Sequence, residues 1–158
     1  MISIRGLKND ILDELDDNRS AVAVLKGSAV YPEISGRVYF FQLGGDVIVI
    51  ADVENLPSQT DCGGVFGFHI HEGGNCATDD FSETRGHYNP DNCPHPYHAG
   101  DLPPLFSNDG SAWMMVQTNR FSVEEIRRKT VVIHEQTDDF ISQPAGNAGR
   151  KIACGVIQ

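Results

Sequence analysis

The chain has 158 residues, enough for one domain with a single packed core, and its 40% hydrophobic content excludes a disordered or fibrous chain. Twelve Lys and Arg against 22 Asp and Glu give a formal net charge of −10 with no basic run, so neither nucleic acid nor an anionic membrane surface is an expected partner. No apolar stretch approaches the roughly 20 residues of a bilayer span, and the opening residues lack the basic, apolar and small-residue regions of a secretory signal, which fits a cytoplasmic chain or a periplasmic or secreted one whose signal has been removed.

Within residues 1–20, Ile4, Leu7, Ile11 and Leu15 recur at helical spacing, with Asp10, Asp13, Glu14, Asp16 and Asp17 on other faces. The pattern predicts a short amphipathic helix, an N-terminal extension to a domain over 21–158. It reads as an arm packed on its own domain, with a dimerisation element, and so a homodimer, as the alternative. Beyond Ser20 the hydrophobic period switches to two. Strands are predicted at 21–25, 36–42, 46–53, 64–71, 111–117, 130–134 and 152–157, all rich in Val, Ile and aromatics. Gly44-Gly45 and Asn108-Asp109-Gly110 have the composition of tight hairpin turns. Ser122 and Glu125 have capping-box spacing, so one helical turn interrupts the strands there. The segments 72–109 and 135–150 are rich in Gly, Pro, Asp and Asn and read as long functional loops. The fold expected is all-β, an antiparallel Greek-key barrel or sandwich with two long loops and a short N-terminal helix.

All six histidines, His69, His71, His87, His95, His98 and His134, lie beyond the N-terminal third. His69-Ile70-His71 falls on a strand, where residues two apart share a face, so both imidazoles converge while Phe68 and Ile70 turn to the core. His87, His95, His98 and Asp101 form a second group within a loop, and three imidazoles with one carboxylate complete a tetrahedral zinc set. His134, alone at the end of an apolar strand, would by itself be an ordinary core histidine. Together the clusters imply two adjacent metal sites. Imidazoles without thiolate or spare carboxylate suit copper, and the His₃Asp set suits zinc. Six histidines and Asp101 fall one donor short of filling two four-coordinate ions, so one ring serving both metals is expected.

From about Ala21 onward the chain resembles the copper–zinc superoxide dismutase family. Gly67-Phe-His-Ile-His-Glu72 resembles its first signature, and Gly86-His-Tyr-Asn-Pro90 the segment carrying the bridging histidine. Gly100-Asp101-Leu102 resembles the end of the zinc loop, and Val132-Ile-His-Glu135 the strand with the last copper ligand. Gly146-Asn-Ala-Gly149 followed by Ile152-Ala-Cys-Gly-Val-Ile157 resembles the second signature. The resemblance implies a Greek-key barrel. It also implies copper ligands His69, His71, His87 and His134, and zinc ligands His87, His95, His98 and Asp101, with His87 as the bridge. Asp138 matches the family's carboxylate that joins a copper-ligand ring to a zinc-ligand ring. The activity implied is conversion of superoxide to dioxygen and hydrogen peroxide, with His87 relaying a proton.

The chain departs from the family in three places. The channel arginine, three residues before the last cysteine, is here Lys151, preceded by Arg150; either cation could line the channel, and lysine lacks the planar fork. The spacings from His95 to His98 and from His134 to Gly146 are also shorter than the family's. These departures motivate an alternative reading, a dismutase-like protein that binds or delivers copper with little turnover. Glu72 and Glu135 each follow a ligand histidine and therefore face away from it, which argues against a zinc hydrolase. Among the four cysteines, Cys76 and Cys154 occupy the places of the family's disulfide. A second bridge, Cys62 with Cys93, is expected to tie the zinc loop to the segment before Gly67; four cysteines allow three connectivities.

Overall fold

A computed structural model describes residues 4–15 and 20–158. In chain order the elements are α1 (Ile4–Leu15), β1 (Ser20–Gly27), β2 (Ser35–Leu43), β3 (Asp46–Glu54), β4 (Gly64–Phe66), β5 (Phe68–His71), β6 (Leu105–Ser107), β7 (Ala112–Thr118), α2 (Val123–Ile126), β8 (Thr130–His134) and β9 (Lys151–Val156). Asp16 and Asp17 lie outside the described residues. No helix among those described is long and apolar enough to cross a membrane.

Seven strands form one antiparallel sheet in the order β5-β8-β9-β1-β2-β3-β7, and β4 pairs separately with β6. β4 runs into β5 through Gly67, and β6 turns back into β7 through the Asn108–Ser111 bridge, so the short ladder joins the two edges of the curled sheet. The result is a closed Greek-key barrel, which leaves few exposed edges. Alternation fills it: Val38 and Phe40 of β2, and Val47, Val49, Ala51 and Val53 of β3, point inward to Phe66, Phe68, Ile70, Leu105, Ile133 and Ile152.

The predicted strand 64–71 is two strands in two ladders. The break falls at Gly67, where a Cβ would stand 2.8 Å from the Cβ of Ala148, so the chain bends where only glycine fits under the 135–150 loop. β6 lies inside the segment read as irregular, directly after Pro103-Pro104, whose prolines mask a three-residue strand in the sequence. Ser122 caps α2 as its spacing predicts, with Glu125 accepting from the Ser122 N–H at 2.6 Å. Helix α1 lies on its own barrel: Lys8 pairs with Asp52 of β3 at 2.6 Å, and Leu12 faces Tyr39 and Phe41 across a shallow cleft.

Cys76 and Cys154 form a disulfide that ties the loop after β5 to β9. The expected Cys62–Cys93 bridge is absent; both thiols are free. Each is held in its own local turn: the Cys62 N–H donates to Thr60 Oγ1 within the exposed Thr60–Gly63 turn, and the backbone of Cys93 is clasped on both sides by the Asn89 amide.

Candidate metal centre

β5 occupies an edge of the large sheet, and the loop after it folds back to pair with that edge. Tyr88 N–H donates to Ile70 O, Ile70 N–H to Gly100 O, and Glu72 N–H to Gly86 O. These bonds set His87 beside His71 and Asp101 beside His69 as backbone neighbours. Gly100 permits the approach, since a Cβ there would stand 2.3 Å from Ile70 O. His134 arrives from β8, paired with β5 on one side and β9 on the other, at an irregularity of register between Ile133 and His134 that re-aims the ring.

The side chains gather into two groups of four donors, His69, His71, His87 and His134, then His87, His95, His98 and Asp101, each with its donor atoms within 4.8 Å of one another. His87 belongs to both.

Proton positions follow from the outer partners, because a carbonyl or carboxylate oxygen only accepts. In the first group His69 donates through Nε2 to Asp138 Oδ2 at 2.7 Å, His71 through Nδ1 to Arg85 O at 2.9 Å, and His134 through Nδ1 to Gly149 O at 3.2 Å. The nitrogens facing inward, His69 Nδ1, His71 Nε2 and His134 Nε2, therefore carry lone pairs. Burial keeps these rings neutral: it pushes His69 down to about 4 despite the bond to Asp138, His134 to about 3, and His71 well below its ordinary value.

The second group repeats the pattern. His95 donates through Nε2 to Asp138 Oδ1 at 2.9 Å, which leaves a lone pair on Nδ1, 3.0 Å from Asp101 Oδ2 with no hydrogen bond between them. His98 Nδ1 lies 3.3 Å from the same oxygen, and burial lowers its ring too. His87 presents Nδ1 to Asp101 Oδ1 at 2.7 Å and to His98 Nδ1 at 3.4 Å, so its Nε2 points back to the first group. Among the described residues, three buried ring nitrogens, His69 Nδ1, His87 Nε2 and His95 Nδ1, lack any hydrogen-bond partner. A buried lone pair without a donor costs on the order of 1–3 kcal/mol. A cation in each group removes that cost, and the donor sets fit one all-imidazole ion and one His₃Asp ion.

Asp138 joins the groups, with one carboxylate oxygen on His69 and the other on His95. Gly146, at φ +66°, packs so closely that a Cβ there would stand 2.0 Å from Asp138 Oδ1 and 2.7 Å from His95 Nε2.

The two candidate cations separate by strand alternation. Lys151 is the cross-strand partner of His134 and turns toward the histidines, with Nζ 2.7 Å from Thr84 Oγ1, 3.0 Å from Arg85 O and 3.3 Å from Phe81 O. Arg150, one residue earlier, faces the other way: its guanidinium grips Glu135 through Nε at 2.8 Å and Nη2 at 2.6 Å, and the Tyr31 hydroxyl donates to the same carboxylate at 2.8 Å. Arg150 therefore does not join the metal centre, correcting its place among the expected channel residues. Its side chain is 65% exposed.

Two further residues support the centre without any periodic signal in the sequence. Gln143 pairs its amide with the backbone of His95, accepting from the N–H at 3.0 Å and donating to the carbonyl at 2.7 Å. Arg120 reaches the Asp101 carbonyl at 3.2 Å.

The sequence model described as copper/zinc superoxide dismutase (SODC) matches residues 34–157. The chain is similar to superoxide dismutase [Cu-Zn] 1 of Aquifex aeolicus, 33% identical over 138 residues covering 78% of this chain and 79% of that one. It is also similar to the superoxide dismutase [Cu-Zn] of Legionella pneumophila, 33% identical over 80% of each chain. Among solved structures, a SOD-like protein from Bacillus subtilis superposes with a TM-score of 0.74 at 26% identity, covering 87% of this chain and 97% of that one.

Proposed function

The chain belongs to the copper/zinc superoxide dismutase family, and from that premise we propose that it disproportionates superoxide at a paired copper–zinc centre. His69, His71, His87 and His134 would hold copper, and His87, His95, His98 and Asp101 would hold zinc. The observation that carries this reading is the set of inward lone pairs shared through His87. The chemistry a bound copper supplies is one-electron oxidation of one superoxide and reduction of the next, while zinc supplies charge and geometry without redox.

The chain's own groups supply the rest. Two superoxide anions and two protons give dioxygen and hydrogen peroxide, so protons must be delivered. His87 would do this: Asp101 and His98 hold its Nδ1 side, and its Nε2, which has no hydrogen-bond partner, would take up a proton and hand it to the reduced oxygen. Asp138 holds the His69 and His95 rings from outside, fixing their orientation and keeping the proton of each on Nε2. Lys151 places a positive charge beside His134 and His71 on a chain that is otherwise strongly acidic, and so draws the anion inward.

The test is superoxide consumption by protein loaded with copper and zinc against the zinc-only form. Fast copper-dependent loss supports the enzyme. No rate above free solution with both metals bound favours the second reading, a copper-binding or delivery protein. That reading draws on Lys151, whose hydrogen-bonding capacity is already spent on the protein.

A further inference from the structure

We propose that Lys151 is a strap. It fastens the segment between Cys76 and His87 to β9, and it acts on the copper ligands by positioning them, with no N–H left to bond the substrate anion.

An ammonium has three N–H donors and no acceptor. Around Lys151 Nζ stand three acceptors, Thr84 Oγ1, Arg85 O and Phe81 O, and all belong to one stretch of chain. The Thr84 hydroxyl is oriented to receive: it donates its own hydrogen to Phe81 O at 2.8 Å and so offers a lone pair to Lys151. Thr84 is fully buried. Arg85 O receives a second bond, from His71 Nδ1. The carbonyl that fixes the tautomer and direction of the His71 ring is therefore the one Lys151 holds in place.

The disulfide completes the geometry. Cys154 lies three residues beyond Lys151 on β9, and its partner Cys76 begins the segment that ends at His87. The segment is thus pinned to one strand twice, covalently near one end and by the ammonium near the other. A compact ammonium turns its three donors to acceptors around one point, whereas a guanidinium would spread its donors over a plane. This accounts for a lysine at a position where an anion-guiding fork was expected. Charge still reaches the anion through space, while orientation by direct hydrogen bonding does not.

This inference rests on the copper reading for its consequence at His71 and on the metal-free chain for the strap itself, so the experiment has two arms. In the first, the rate at which dithiothreitol reduces Cys76–Cys154 is followed by thiol trapping on metal-free full-length protein, wild type against Lys151→Met, Thr84→Val and the double variant. A strap predicts that each single variant speeds reduction by roughly threefold or more, that the double variant adds little further, and that Lys151→Arg does not restore the wild-type rate. In the second arm the copper(II) resonance spectrum and azide affinity of the loaded proteins are measured. Lys151→Met and Thr84→Val are both expected to shift the spectrum.

The proposal is overturned if Lys151→Met leaves the reduction rate and the spectrum at wild type yet weakens azide binding, and Lys151→Arg strengthens it. That result makes the side chain an anion-binding group. If wild-type protein takes up no copper, the functional reading fails, and the first arm still decides the strap.

Discussion

His71 Nε2 and His134 Nε2 stand 3.1 Å apart, and each ring has its proton on the other nitrogen, bonded to the carbonyls of Arg85 and Gly149. Two lone pairs at that distance cannot form a hydrogen bond. They repel unless a cation sits between them. Chelation should therefore lower the melting temperature, and copper with zinc should restore it. At free metal a hundredfold above Kd, the stabilisation from binding is about 2.7 kcal/mol. Calorimetry on apo and loaded protein checks this. Equal melting temperatures at saturating metal would show that the rings do not hold it.

His87 lies in both donor groups, so its loss must be felt twice. His87→Ala should weaken zinc retention and perturb the copper spectrum together. His71→Ala should affect copper alone, because His71 lies only in the first group. Metal content by mass spectrometry and the copper spectrum are the readouts. Loss of one metal without the other in His87→Ala would contradict a shared ligand.

Asp138 accepts from His69, from His95 and from the Phe140 N–H, and Asp138→Asn leaves only one carbonyl oxygen for those donors. Its new amide hydrogens would face an imidazole N–H. Both metals should bind roughly 10–100-fold more weakly, the range found for outer partners of metal ligands. Gly146→Ala, which drives a Cβ into the Asp138 carboxylate, should move both affinities in the same direction. Competition with a chelator measures this. An effect confined to one metal would show that the carboxylate does not couple the groups.

The barrel was legible because alternation is a local signal: Val47, Val49, Ala51 and Val53 announce both a strand and its inward face. The His69-Ile70-His71 pattern was legible for the same reason, with Phe68 and Ile70 in the core. What escaped depends on partners far away in sequence. The break at Gly67 is set by Ala148, and the free state of Cys62 and Cys93 by the turns that hold them. The choice between Lys151 and Arg150 needed the register of β9 against β8, which pairs Lys151 with His134. The Gln143 clasp on His95 has no spacing rule behind it, since it is one irregular loop moulded onto another.

That register carries its own prediction. Lys151→Ala should lower the rate with superoxide and flatten its dependence on salt, because a positive charge near the anion's path is lost. Arg150→Ala should change the salt dependence far less, since its charge is already paired with Glu135 at the surface. An exposed pair of this kind contributes little, so stability should barely move as well. Rates across a salt series decide it. A larger effect from Arg150→Ala would place the wrong cation beside the centre.

Phe41 and Ile50 carry a different lesson, because they point out of the barrel and are nevertheless 4% and 1% exposed. On β2 and β3 the inward positions are Val38 and Phe40, and Val47, Val49, Ala51 and Val53; Tyr39 and Phe41, and Ile48 and Ile50, form the outer face. Lys8 of helix α1 pairs with Asp52 on that face, and Leu12 lines a shallow cleft opposite Tyr39 and Phe41. Trp113 and Met115 of β7, paired with Asp52 and Ile50, continue the apolar surface beyond it. Burying a Phe or Ile side chain is worth about 1.5–3 kcal/mol, so a helix docked over this patch would stabilise the fold. Deleting residues 1–19 should leave the β-sheet circular dichroism and metal content unchanged while the chain self-associates through the uncovered face. Leu12→Asp should do the same more weakly. Sedimentation velocity with dye binding is the check: a truncated chain that stays monodisperse and binds no more dye than the full chain would mean that the outer face is sealed by its own strands and that α1 has another role.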